Sequence, residues 1–391
     1  MPNLDDELRR RLQGAGRRVP TRGVYERLAS RRRRKAVTHR IGSGVLAVGV
    51  VAGSTLGLFG LQRAFRGSGD GQAVSAGGVS TTVGFVRAFN GQCDGPGHEG
   101  GFEIFTVDTV TGEQRKLPFV GDRWEYAGDM EFSPDGTQVA YTNLQTHHLD
   151  VTDVATGATR TLVSDLQVVD APHWSADGSS VLFYDLNARG NVFTVDIVGA
   201  DGTGLTRLTE GETPVWTDEG LIAFVRTPAN VDPETGAHSP TNEGMTGFFT
   251  MNADGTDIRQ RHAAPADVPL SDPEWSPDGD EVVAGALLHG NRDIFAVDLT
   301  LRTPLRLTDD PAVDTGPAWS PDGSQIAFNT GRWSPTPGKV TSSIALMNAD
   351  GSHVRQLTST CWNDYFATWV KDDSVVRTLP VWDPTNGSVR D

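Results

Sequence analysis

The sequence predicts an all-β protein: a six-bladed β-propeller of four-stranded antiparallel blades, preceded by one transmembrane helix and a short cytoplasmic helical tail. Three observations carry this reading. First, an aromatic residue followed by a Ser-Pro-Asp-Gly-like turn and an apolar strand returns six times between residues 131 and 378. The copies read EFSPDGTQVAY from Glu131, HWSADGSSVLF from His173, VWTDEGLIAF from Val215, EWSPDGDEVVA from Glu274, AWSPDGSQIAF from Ala318 and a degraded TWVKDDSVVRT from Thr368. Their aromatics, Phe132, Trp174, Trp216, Trp275, Trp319 and Trp369, are 42, 42, 59, 44 and 50 residues apart, inside or just above the period of one four-stranded blade. Second, each copy is followed by a further pair of alternating runs, often split by Asp-Gly, the strongest short-range hairpin signal. Third, residues 41–61, IGSGVLAVGVVAGSTLGLFGL, carry no charge.

Taken from the N-terminus, residues 1–40 form a basic tail. Asn3 caps a helix in which Leu4, Leu8 and Leu12 share one face, with Asp5, Asp6 and Glu7 in the first turn and Arg9, Arg10 and Arg11 after them. That charge order suits the helix dipole. A second short segment, Val24-Tyr25-Glu26-Arg27-Leu28, follows the break at Pro20. So short a tail cannot bury a core of its own. It is expected to dock on a partner through Leu4, Leu8, Leu12, Tyr25 and Leu28, or to hold anionic lipid through its arginine run.

Residues 41–61 are long enough, as a helix, to span the hydrocarbon core of about 30 Å. Arg31, Arg32, Arg33, Arg34, Lys35 and Arg40 precede them, so the positive-inside rule places the N-terminus in the cytoplasm and the propeller outside the cell membrane. A cleaved signal peptide ending near Ala73-Val74-Ser75 is the competing reading, but its basic region would be unusually long. Residues 62–81 then form a flexible linker containing Gly67-Ser68-Gly69-Asp70-Gly71.

Residues 82–391 make up the propeller. Pro presets one dihedral of each A to B turn and Gly accepts a positive one, so the chain reverses there. The second hairpins turn at Asp201-Gly202, Asp254-Gly255 and Asp350-Gly351. Five blades begin near Met130, Ala171, Pro214, Pro273 and Pro317, and the sixth aromatic leaves its blade two strands short. Runs at 82–88, 102–108 and 114–119 supply candidates, so both chain ends zip the ring shut and leave no open edge. Either 82–88 or 374–379 provides strand B of that blade. Cys93 and Cys361, the two cysteines, fall in loops on one face at this seam, and a disulfide between them is expected in an oxidising compartment.

The W-S-P-D-G, M-N-x-D-G and R-x-L-T vocabulary resembles the TolB-like, WD40-like (PD40-type) propeller family. The resemblance covers about residues 82–379 and implies the fold, while its motifs are nearly silent about function because propellers host binding, scaffolding and catalysis alike. The N-terminal order of Asp/Glu/Leu/Arg helix, Val-Pro linker, Val-Tyr-Glu-Arg segment, arginine cluster and single span is similar to actinobacterial membrane proteins thought to partner sigma factors of the extracytoplasmic-function type. That resemblance implies an anti-sigma tail and a sensing outer domain. The His-x-x-x-Cys-x-x-Cys zinc signature of many anti-sigma domains is absent, since no Cys precedes Cys93.

Charge and motifs narrow the chemistry. Residues 1–61 carry 13 Lys or Arg against 4 Asp or Glu, net +9, whereas residues 62–391 carry 21 against 46, net −25. An acidic propeller without a basic stripe is a poor nucleic-acid binder. No Gly-x-Ser-x-Gly elbow, P-loop or His-Glu-x-x-His helix occurs, so no catalytic residue, metal or cofactor is assigned. His147, His148, His238 and His289 lie near B to C loops without a ligand spacing. The long loops at 227–247 and 330–341 fall on one face. Arg332, Trp333, Trp362, His238 and His289 are therefore the candidate ligand face, an exposed Arg-Trp pair having the composition of a recognition hot spot. The leading functional reading is a single-pass sensor or regulator whose propeller binds a ligand or protein outside and whose tail binds a sigma factor. An anchored propeller acting only as a binding or scaffold module is the alternative, and a lyase or lactonase using the axial channel stands third.

Overall fold

A computed structural model describes residues 81–88, 102–118, 127–143, 145–167, 169–186, 192–217, 219–226, 247–263, 268, 270–288, 290–299, 304–333, 341–359, 362–383 and 388–390. The tail, the 41–61 span, residues 62–80 of the linker, Cys93, Cys361, His238 and His289 lie outside the described residues. Among the described residues no helix is long and apolar enough to cross a membrane.

Among the described residues, five four-stranded antiparallel sheets and one larger sheet make six blades. In chain order, blades 1 to 5 open with strands Ala127–Phe132, Val169–Trp174, Glu212–Trp216, Leu270–Trp275 and Asp314–Trp319. Each such strand A is innermost. It touches the next blade's strand A around the ring, and Asn363–Trp369 closes the circle between blades 5 and 1. Every blade then runs outward through strands B, C and D in sequence order, as hairpin-linked meanders must.

The repeated phrase is consumed by the turn between strands A and B. In blade 1 the Ser133 hydroxyl donates to Asp135 Oδ1 at 2.7 Å, and Gln138 N–H donates back to Ser133 Oγ at 3.0 Å. Asp135 Oδ1 also accepts from Thr137 N–H, and Gly136 N–H closes onto the Ser133 carbonyl. The same net recurs at Ser175 and Asp177, Ser276 and Asp278, and Ser320 and Asp322. In blade 3 Thr217 takes the serine's place, accepting from Leu221 N–H.

The second motif joins neighbouring blades. A Cβ added at Gly202, Gly255 or Gly351 would meet the backbone of Leu162, Leu208 or Leu307, each in or beside strand D of the preceding blade. At Gly351 the gap to the Leu307 carbonyl oxygen is 2.7 Å, so only a residue without Cβ lets that turn seat. The M-N-x-D-G and R-x-L-T phrases are thus two halves of one contact.

Strands A start two or three residues before the expected Met130, Ala171, Pro214, Pro273 and Pro317. Each holds a bulge at the third residue before its aromatic. Ala171, Thr213, Asp272, Gly316 and Phe366 all have positive φ there, between +45 and +55, and the register with strand B shifts across them. Pairing resumes on the far side, for example Asp314 opposite Thr330, so the strand continues past the kink.

Blade 6 settles the seam. Strand A comes from the C-terminal Asn363–Trp369, and strands B, C and D are Thr82–Ala88, Phe102–Asp108 and Gln114–Lys116. Residues 374–379 supply no strand; Val376–Thr378 is a 3-10 helix. The blade is not four-stranded. Two further short strands, Val381–Asp383 and Ser388–Arg390, continue the sheet beyond Gln114–Lys116, so C-terminal chain brackets the N-terminal strands on both sides. Trp382, 4% exposed, packs edge-on against Phe105 at 5.3 Å. Arg87 on strand B bonds Asp364 on strand A at 2.7 and 3.0 Å, with both side chains fully buried. Phe85, Phe105 and Trp362 flank its guanidinium at 5.1, 4.6 and 5.7 Å.

Candidate functional site

The inner strands define the axis of the ring. The residue just before each aromatic, Glu131, His173, Val215, Glu274, Ala318 and Thr368, stands near the end where strands A turn into strands B. Trp174 N–H donates to Glu131 Oε2 at 2.6 Å, and Trp216 N–H to His173 Nδ1 at 3.4 Å. The backbone N–H of Trp319 likewise donates to Glu274. These side chains therefore latch one blade to the next. Burial lowers the His173 pKa and keeps the ring neutral, despite the Glu131 charge. With Nδ1 accepting, the proton sits on Nε2, 3.5 Å from Glu131 Oε1. Lys371 Nζ approaches the same oxygen at 3.5 Å.

Glu131 and Glu274 belong to blades 1 and 4, which face each other across the ring. Burial, then the charge of Glu131, pushes Glu274 up to about 8, with Lys371 opposing.

A second acidic layer lies toward the other mouth, where strands A begin. Asp129, Asp170, Glu212 and Asp272 come from blades 1 to 4. Asp170 Oδ1 accepts from Ala171 N–H at 3.0 Å and Asp129 N–H at 3.3 Å, and the Tyr184 hydroxyl donates to Oδ2 at 3.5 Å. Burial, then the charges of Asp170, Asp272 and Glu274, holds Asp129 well above the usual carboxylate range. Burial also raises Asp170, and burial followed by the Asp170 charge raises the Tyr184 hydroxyl. Asp272 is the open member, its side chain 60% exposed and 3.8 Å from Arg292. Among the described residues no group of three His, Cys, Asp or Glu side chains is placed to hold a metal ion. The arrangement is suited to receiving positive charge.

At the A to B end a hollow of about 400 Å³ opens between turns, lined by residues including Ser133, Asp135, Trp174, Asp177 and Asp372. Asp177 is held at about 2 by hydrogen bonds from Ser175 and Ser179, so it stays ionised.

The predicted ligand residues divide. Arg332 and Trp333 follow strand B of blade 5 and Trp362 precedes strand A of blade 6, which puts all three at the same end as the Asp272 mouth. Arg332 is engaged there: its Nη2 lies 2.6 Å from the fully buried Asp314. Trp333 is half-buried, and Trp362 is 9% exposed beside Arg87. The axial acids were not singled out from sequence, although the polar residue before each aromatic in EF, HW and EW was in view.

The repeat vocabulary and geometry agree with known proteins. Residues 250–336 match the TolB beta propeller domain. A Tol-Pal system protein TolB of Anaeromyxobacter dehalogenans is 35% identical over 100 residues, which is 26% of this chain and 21% of that protein. The chain thus spans about a fifth of that TolB. An uncharacterized protein of Agrobacterium fabrum is 23% identical over 221 residues, covering 56% of this chain and 68% of the relative. Among solved structures, TolB from Acinetobacter baumannii superposes with a TM-score of 0.55 at 17% identity, over 75% of this chain and 67% of that one. A chain of the nidogen/laminin complex gives 0.52 at 11% identity, over 74% and 98%. At such identities the structures speak for the fold alone. The chain folds as a six-bladed propeller, and its residues 250–336 match the TolB beta propeller domain.

Proposed function

We propose that this chain is a membrane-anchored binding protein whose TolB-like propeller engages a positively charged segment of a protein partner at its axial mouth and does no chemistry of its own. The observation that carries this is the convergence of Asp129, Asp170, Glu212 and Asp272 from four successive blades. The net −25 of residues 62–391 steers cationic partners toward it, and an entering cation favours the ionised forms of acids whose protons burial otherwise retains. The test is fluorescence anisotropy of a labelled octalysine peptide with the full chain. Binding is expected to weaken with salt and to fall at least tenfold in D170N/D272N. Equal affinity of variant and wild type sinks the axial reading.

The tail supports a regulatory output. Its leucine face, joined by a charge-free span to the propeller, suits a clamp that orders on a cytoplasmic sigma factor. Leu8→Asp then abolishes capture of the sigma factor by the full chain, while Arg33→Ala acts mainly on membrane orientation. Undiminished capture by Leu8→Asp leaves the anchored binding module without a signalling role.

A further inference from the structure

Neighbouring blades are tied at their inner strands and turns by three kinds of contact. A side chain just before one aromatic accepts the backbone N–H of the next, as Glu131 does from Trp174 at 2.6 Å and His173 from Trp216 at 3.4 Å. An indole N–H donates to a carbonyl of the preceding blade, Trp174 to Glu131 and Trp369 to Ala318, both at 3.1 Å. A turn glycine sits on the preceding strand D, as Gly202, Gly255 and Gly351 do against Leu162, Leu208 and Leu307. Between blades 6 and 1 the Lys371 ammonium, 3.5 Å from Glu131, does the joining. At the seam between blades 3 and 4 each of the three fails. The side chain of Val215 stands where those of Glu131 and His173 do and has no polar atom to offer Trp275 N–H. The Trp275 indole is buried with Nε1 unpartnered. The C to D turn of blade 4, Leu299-Thr300-Leu301-Arg302-Thr303, contains no glycine. The indoles of Trp216 and Trp319 are unpartnered too, but both of those seams keep a backbone latch and a glycine seat. Blades 3 and 4 meet instead through one apolar cluster that includes Val215, Phe248, Leu270, Trp275 and Val282, with Phe248 edge-on to Trp275 at 5.9 Å.

Hydrogen bonds fix direction, whereas apolar contact is non-directional and tolerates sliding. Glu212 and Asp272 stand at the mouth on the two sides of this seam, Asp272 with its side chain 60% exposed. We propose that the ring opens at the seam between blades 3 and 4, and that this opening admits the positively charged segment to the axis. The second half rests on the axial reading above. Separation at this seam draws Asp272 away from Glu212 and widens the mouth at its open acid, while the contacts at the other seams hold the remaining blades as one arc.

Thiol access tests the opening. Val215 and Ala318 hold the same place in blades 3 and 5 and are each 7% exposed, so Val215→Cys and Ala318→Cys start from equal static cover. The full chain is labelled in its native state and read by peptide mapping, which counts Cys93 and Cys361 apart. Val215→Cys is expected to react about tenfold faster than Ala318→Cys, and equal rates overturn the opening. Admission is tested by Val215→Gln, whose amide carbonyl gives Trp275 N–H an acceptor. A gate that is harder to open slows labelled octalysine on the way in and on the way out alike. Association and dissociation rates are therefore both expected to fall about threefold with Kd unchanged, and rates equal to those of the wild type overturn the gate. Should Val215→Gln fail to fold, Val215→His, which copies blade 2, is read in the same way. A wild type that binds no octalysine sinks the axial reading and the admission with it, and the opening then stands or falls on the thiol rates.

Discussion

Gly136 and Gly220 share a backbone conformation, with φ of +66 and +75, and differ in what surrounds them. A Cβ at Gly136 would lie 1.8 Å from the Asp372 carbonyl oxygen of blade 6, whereas nothing stands within 4 Å at Gly220. Gly136→Ala is therefore expected to cost more than about 3 kcal/mol, strain plus a displaced blade contact, and Gly220→Ala only about 1 kcal/mol. Urea melts of the two variants give the comparison. Arg87 makes a second residue-scale case. Replacing it with Met leaves Asp364 buried and charged with its guanidinium partner gone, which typically costs about 3–5 kcal/mol. The loss should be smaller in Arg87→Met with Asp364→Asn, where neither charge remains. If the double variant is no better than the single one, the ion pair is not what holds that seam.

Among the elements, strands B, C and D were largely legible because Asp-Gly and Thr-Gly turns bound short alternating runs and fixed their register. The bulges were not. Ala171, Thr213, Asp272 and Phe366 share no chemistry that announces a positive φ, and Asp129 at the same place in blade 1 does without one. Val381–Asp383 and Ser388–Arg390 were missed because three-residue strands carry no periodicity, and residues 374–379 looked extended until Val376–Thr378 coiled. The axial acids were invisible for a related reason, since nothing local says that Asp129 and Asp170 of neighbouring blades come within hydrogen-bond reach. Trp382→Ala tests the added hairpin, with an expected loss of about 3–5 kcal/mol from the vacated core. The seam carries the cysteine proposal too. Ala88 pairs with Asn363, so the chain leading to Cys93 and the chain arriving from Cys361 leave the same end of one strand pair. Non-reducing peptide mapping is expected to recover the two cysteine peptides linked, and thiol labelling of both residues in the native protein would refute the bridge.

At the scale of the whole molecule, the chain divides its charge, net +9 over residues 1–61 against −25 beyond them. With the span between these halves inserted, protease added to intact cells removes the propeller and spares the tail. A soluble product lacking the tail would instead favour the cleaved signal peptide. The propeller's own claim is that it binds through its axis and not its rim. Asp272, with a side chain 60% exposed, marks the mouth; Val110, 78% exposed on a C to D turn, marks the rim. The most direct measurement is photo-crosslinking in the cell of origin with a benzoylphenylalanine placed at one position or the other. Protein adducts from position 272, lost when Asp129 and Asp170 are both made Asn, are the expected result. Adducts from position 110 alone, or adducts at 272 indifferent to those charges, would contradict the account.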